Sequence, residues 1–117
     1  MRALAIAAAG AAVLALAGPA WAAPPPDPAT IQQGHDVFQK WCAPCHAAGP
    51  GHPGTDALMA KYKGSKPAPL EQRTDLTPEQ ARFYVRHGVS IMPWFRKTEV
   101  SDADLDAIGS YITRTKR

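Results

Sequence analysis

The chain has 117 residues, with 13 Lys and Arg against 10 Asp and Glu. That length holds one small domain. The near balance of charge argues neither for a nucleic-acid partner nor for a strongly acidic one. The two cysteines, Cys42 and Cys45, stand so close that a bridge between them would staple almost nothing, which excludes a disulfide-built scaffold.

The first segment reads as an export signal. Met1-Arg2 supplies a positive start, Ala3 to Ala17 is apolar apart from one glycine, Gly18-Pro19 breaks any helix, and Ala20-Trp21-Ala22 offers small residues for cleavage. The apolar run of 15 residues falls short of the roughly 20 that span a bilayer as a helix. Residues 1–22 are therefore expected to be removed on passage to the periplasm, with no membrane anchor left after cleavage. Removal leaves residues 23–117, that is 117 less 22, or 95 residues. Loss of Arg2 makes the balance 12 basic against 10 acidic, a net charge of +2.

Residues 23–29 form a proline-rich leader, too rich in proline for helix or central strand. The folded domain is expected over 30–117. Thr30 reads as an N-cap with Gln33 in capping-box spacing, and Ile31, Gly34, Val37, Phe38, Trp41 and Cys42 make an apolar stripe to about residue 42. Gly34 inside that helix makes sense where another helix crosses closely. Residues 47–54 are a glycine-proline loop. Thr55 is expected to cap a short helix to about Lys63, and Ser65 to Arg73 to be an irregular, exposed connection. Thr77-Pro78-Glu79-Gln80 is a strong start for a helix that ends at Gly88, with Ala81, Tyr84 and Val85 on its apolar side. Val89 to Lys97 is a loop. Ser101 caps a last helix whose stripe is Leu105, Ile108, Tyr111 and Ile112, with Asp102 and Asp104 favourably placed at its start. No strand and no repeat is evident, so the fold class is all-α with long loops.

The chemistry lies in Cys42-Ala43-Pro44-Cys45-His46, a C-x-x-C-H motif of haem attachment. Two thiols at this spacing can each form a thioether to a vinyl group on one haem edge, and the next residue places an imidazole on the iron from the same side. A redox dithiol would want a βαβ context, and structural zinc would want further cysteines; neither is present in the pattern. One covalent haem c is expected, with His46 as a ligand. Met92, in a loop and held by the following Pro93, is the candidate second ligand. Its rivals are weaker. Met1 leaves with the signal, Met59 is expected in the core, His35 precedes the motif too closely, His52 sits in an exposed loop and His87 at a helix end. A His/Met pair raises the reduction potential and fills both axial positions, which favours electron transfer over an open-site peroxidase or gas binder. Trp41, Phe38, Trp94, Phe95 and Tyr111 are expected as core aromatics. Tyr62, Tyr84 and Arg73 are candidate donors to a haem propionate, and Lys61, Lys63 and Lys66 form a small basic cluster on a solvated face.

At these residues the chain resembles a class I cytochrome c. Gly34, Phe38 and Cys42 match the N-terminal helix of that family, Ile108 and Tyr111 its C-terminal helix, and Met92-Pro93 its distal methionine loop. The resemblance implies helices wrapped round one covalent haem. It also implies that a proline carbonyl after the motif accepts the Nδ1–H of His46; Pro53 or Pro50 is in place for this, and Pro53 is preferred. Residues 56–77, rich in lysine and proline, depart from the family. The run from Tyr62 through Pro78, with Val85-Arg86-His87-Gly88 and Met92 to Glu99, is similar to the cytochrome subunits of the p-cresol methylhydroxylase and eugenol hydroxylase type flavocytochromes. That likeness implies an electron-transfer subunit, itself non-catalytic, whose partner is a flavoprotein oxidising 4-alkylphenols. A general periplasmic shuttle to or from another dehydrogenase or oxidase is the alternative.

Overall fold

The computed structural model describes residues 24–114; the expected signal segment lies outside the described residues. Within them the protein is helical, with no strand beyond an isolated pairing of Val89 with Met92. Five helices follow one another: α1 (Pro28–Trp41), α2 (Ala43–His46), α3 (Pro53–Tyr62), α4 (Pro78–His87) and α5 (Asp102–Ile112), with one 3-10 turn at Leu70–Gln72. None of the described helices is long and apolar enough to cross a membrane.

The helix starts follow local chemistry. Thr77 forms the expected capping box with Gln80, and Ser101, expected as a cap, forms one with Asp104 as well. The start of α1 differs from expectation. Asp27, rather than Thr30, is the N-cap, its carboxylate accepting from the Thr30 N–H at 3.0 Å, and Pro28 stands in the first turn. A proline costs nothing there because that N–H has no helical partner. The last two residues of the proline-rich leader thus become helix. In the same way α3 starts at Pro53, not after Thr55.

The core is made by α1 against α5, with α4 packed on α5. Phe38, Leu105 and Val100 are fully buried, joined by Ile108, Tyr111 and Ile112. Each such side chain contributes about 1.5–3 kcal/mol on leaving water. The crossing of α1 and α5 is closest at Gly34, where an added Cβ would lie 2.6 Å from the Ala107 carbonyl carbon and 2.8 Å from the Tyr111 Cβ. One turn on, the Phe38 and Tyr111 rings pack at 5.6 Å.

Four expectations about burial are corrected. Trp94 is 61% exposed and Met59 55% exposed, so neither is a core residue, and Tyr84 is also exposed. Their elements present those positions away from the α1–α5 seam. The connection before α4 is not simply exposed: Ala68 and Arg73 are buried, and Glu71 accepts a hydrogen bond from the Tyr111 hydroxyl.

Gly34→Ala is expected to force α1 and α5 apart, at a cost of about 2 kcal/mol for overpacking. Thermal unfolding of the haem-loaded protein measures it; an unchanged midpoint would mean that the crossing tolerates a methyl group.

Candidate functional site

Cys42 ends α1 and begins α2. Its N–H donates to the Phe38 carbonyl at 2.8 Å, and its own carbonyl accepts from Cys45 (3.1 Å) and His46 (2.9 Å). The pentapeptide is therefore a helical turn. Positions i, i+3 and i+4 of such a turn share a face, so Cys42, Cys45 and His46 line the same cavity. Pro44 falls in the first turn of α2, where its missing N–H is no loss.

Helix α3 braces this turn. The Thr55 hydroxyl, buried, donates to the Ala47 carbonyl at 2.8 Å. The His52 ring nitrogen Nδ1 lies 3.0 Å from the Pro44 carbonyl, so His52 is the half-buried N-cap of α3 rather than a free loop residue. These ties lay Gly54 directly on the His46 imidazole: a Cβ at Gly54 would stand 2.6 Å from His46 Cε1 and 2.9 Å from Nδ1. Only a glycine leaves room for the ring. His46 Nδ1 is buried with no hydrogen-bond partner, the one such side-chain atom among the described residues. Pro53 lines the cavity and Pro50 does not; neither carbonyl is bonded to Nδ1.

Burial sets the protonation of the turn. It lowers the His46 pKa, which favours the neutral imidazole a metal requires. It pushes the Cys42 thiol up to about 12, with the neighbouring Cys45 adding to the effect. Reactive dithiols have depressed thiol pKa values, the opposite of the direction at Cys42.

Met92 faces the same cavity from the loop after α4. Gly88 opens that loop at φ +67, a left-handed backbone, and packs so closely on it that a Cβ would lie 2.7 Å from the Met92 carbonyl oxygen. Val89 and Met92 then exchange N–H···O bonds of 3.1 and 2.9 Å, closing a tight turn. The other sulfur and imidazole candidates point elsewhere. Met59 is exposed. His35 packs edge-on to Tyr111. His87 stacks on Phe83, its Nδ1 at the Phe83 carbonyl.

The cavity measures about 370 Å³, more than twice the roughly 150 Å³ that admits a benzene ring. Phe38, Leu58, Leu70, Val85, Ile108 and Ile112 are among its apolar walls. His46 is the one histidine and Met92 the one methionine of its lining. At one edge Arg73, only 4% exposed, donates to Asp75 through Nε (2.5 Å) and Nη2 (2.7 Å) and lies over the Tyr62 ring. Lys66 adds a 2.6 Å bond to the same carboxylate. Arg73, with Lys66 second, holds Asp75 far below the ordinary carboxylate range. Two cations against one anion leave this edge of the cavity net positive. Sequence reasoning nominated Arg73 but missed Asp75, Lys66 as its partner, and Gly54. A glycine just inside a helix start was the one available signal for Gly54.

The donor set fits haem c: two thiols and an imidazole on one helical face, a methionine lining the same largely apolar cavity, and cationic donors at its edge. Gly54→Ala is expected to push the His46 ring from its place, lowering the yield of haem-attached protein and shifting its visible spectrum. Normal loading with an unaltered spectrum would show that the ring does not depend on this gap.

A family model described as cytochrome C oxidase, cbb3-type, subunit III matches residues 29–112. No curated protein and no solved structure matches the chain. The match covers all five helices but for Pro28, and with them the C-x-x-C-H turn and the residues lining the cavity, so the chain belongs to this family and is a class I cytochrome c, an electron-transfer haem protein.

Proposed function

We propose that this is an exported single-haem electron carrier, attached through Cys42 and Cys45 and ligated by His46 and Met92. Placing one imidazole and one thioether in a single apolar cavity is the observation that carries the reading. Haem held there supplies a one-electron iron couple. The chain's residues do the rest. Cys42 and Cys45 fix the edge, and His46, pressed by Gly54, is held in one orientation. Of Pro50 and Pro53, only Pro53 lines the cavity beside His46, and we assign its carbonyl to orient the His46 Nδ1–H, a bond not made in this structure. Phe38, Ile108 and Ile112 exclude water from the deep wall. Arg73, Tyr62 and Lys66 provide donors for carboxylates, which need them when withdrawn from solvent. A thioether ligand raises the potential relative to nitrogen ligation and leaves no coordination site for substrate.

The apolar run and small residues before Ala23 support periplasmic placement after cleavage. For the partner, the similarity to 4-alkylphenol flavocytochrome subunits supports a flavoprotein that oxidises phenols and passes on electrons singly. A second reading has one observation in its favour. The matching family model is described as an oxidase subunit, which suits a shuttle toward a terminal oxidase.

Met92→Ala is expected to lower the reduction potential and to let the reduced protein bind carbon monoxide. An unchanged spectrum and potential would remove Met92 from its role. Pull-down of the mature holoprotein from its host separates the partners: a flavoprotein among the captured proteins supports the phenol-oxidising complex, and a terminal oxidase in its place supports the shuttle.

A further inference from the structure

The loop that carries Met92 obtains little from apolar burial on its outer arm. Ile91 is 67% and Trp94 61% exposed. Its position is held by polar ties instead. On the inward side the Phe95 N–H donates to the Val85 carbonyl at 2.7 Å. Val89 and Met92 close their own turn, and Lys97 bonds Asp102 at 2.7 Å, but among the described residues one side chain of α4 reaches two carbonyls of the return arm. Arg86, one residue further along α4, donates from Nη1 to the Phe95 carbonyl (3.0 Å) and from Nη2 to the Val100 carbonyl (2.8 Å) and to Asp102 Oδ1 (2.9 Å). Its side chain is 16% exposed. A guanidinium is a rigid planar fork, so these bonds set the distance between Phe95 and Val100 and fix both to α4. Phe95 in turn packs on Trp41, at 5.9 Å between rings, next to the attachment turn.

We propose that Arg86 is the positioning residue for Met92: by clamping the Phe95 and Val100 carbonyls it holds the return arm of the loop so that the thioether stays on the iron. This deepens the assignment of Met92 as ligand and rests on it. Arg82 provides the comparison. It lies one turn earlier on α4 and pairs with Asp102 at 3.7 Å and with Asp106, joining α4 to α5 without touching the loop carbonyls.

The test uses the haem-loaded parent with Arg86→Ala, Arg86→Lys, Arg82→Ala and Met92→Ala variants. It reads carbon monoxide association with the reduced protein, the reduction potential, and the thioether-to-ferric-iron charge-transfer absorption. Loss of bonds from a charged donor is expected to raise the methionine-released fraction, and with it the association rate, about tenfold to a hundredfold in Arg86→Ala. The potential falls in the same variant. Arg86→Lys, which has no fork to span both carbonyls, is expected to lie between it and the parent, and serves alone should Arg86→Ala not accumulate. Arg82→Ala is expected to lose thermal stability while keeping the parent's association rate, absorption and potential. Arg86 variants that lose stability but keep those three readouts would reduce Arg86 to a structural clasp and overturn the proposal. A parent that binds carbon monoxide as fast as Met92→Ala would overturn the ligand assignment itself and the proposal with it.

Discussion

The architecture depends on how closely α1 can approach α5. Gly34 lets the helices meet backbone to backbone, with no space for even a methyl group between its Cα and the Ala107 peptide. Tyr111 then reaches the rings of Phe38 and His35 and, through its hydroxyl, Glu71. Burial, followed by the bond to Glu71, pushes the Tyr111 hydroxyl up to about 12, so it remains a donor at all ordinary pH. The crossing thus directs the end of α1, and with it the attachment turn, toward the wall formed by Ile108 and Ile112. A domain this small buries a modest core, and much of what its helices enclose is cavity.

The two sides of that cavity are held by different physics. The side bearing Cys42, Cys45 and His46 is local: one helical turn, the hydroxyl of Thr55, the ring of His52 and the gap at Gly54, all within residues 42–55. Such contacts require little chain closure and form with the helix that contains them. The side bearing Met92 is not local. It stands on a loop pinned to α4 by Val85 and Arg86 and to the start of α5 through Asp102. The proposed ligand His46 therefore stands on local contacts, and the proposed ligand Met92 on contacts made between distant segments.

The edge charge follows the same logic of compensation. A buried guanidinium is costly alone, and Arg73 meets the cost with two bonds to Asp75 and the face of Tyr62. Lys66 leaves the cluster with one positive charge in excess, which suits an anionic group at the rim. Exposed Tyr84, Val89 and Ile91 border the same cavity. Its mouth is therefore both apolar and mildly cationic, a combination compatible with electron exchange at short range.

The sequence by itself determined the helical class, the attachment turn and the starts of α4 and α5, because each is written within about five residues: a spacing of thiols and imidazole, or a capping box whose donor and acceptor lie three positions apart. Even the start of α1 was decided locally, although Asp27-Pro28 outcompeted Thr30 by supplying both the capping oxygen and a preset φ. Only the tertiary structure decided that Gly54 presses on His46, that Arg73 is buried, that Trp94 is exposed, and that Arg86 clamps a loop. An arginine on a helix looks the same in sequence whether it faces water or two carbonyls. The acceptors that distinguish the cases are brought to it by packing between segments far apart in the chain, which no short pattern encodes.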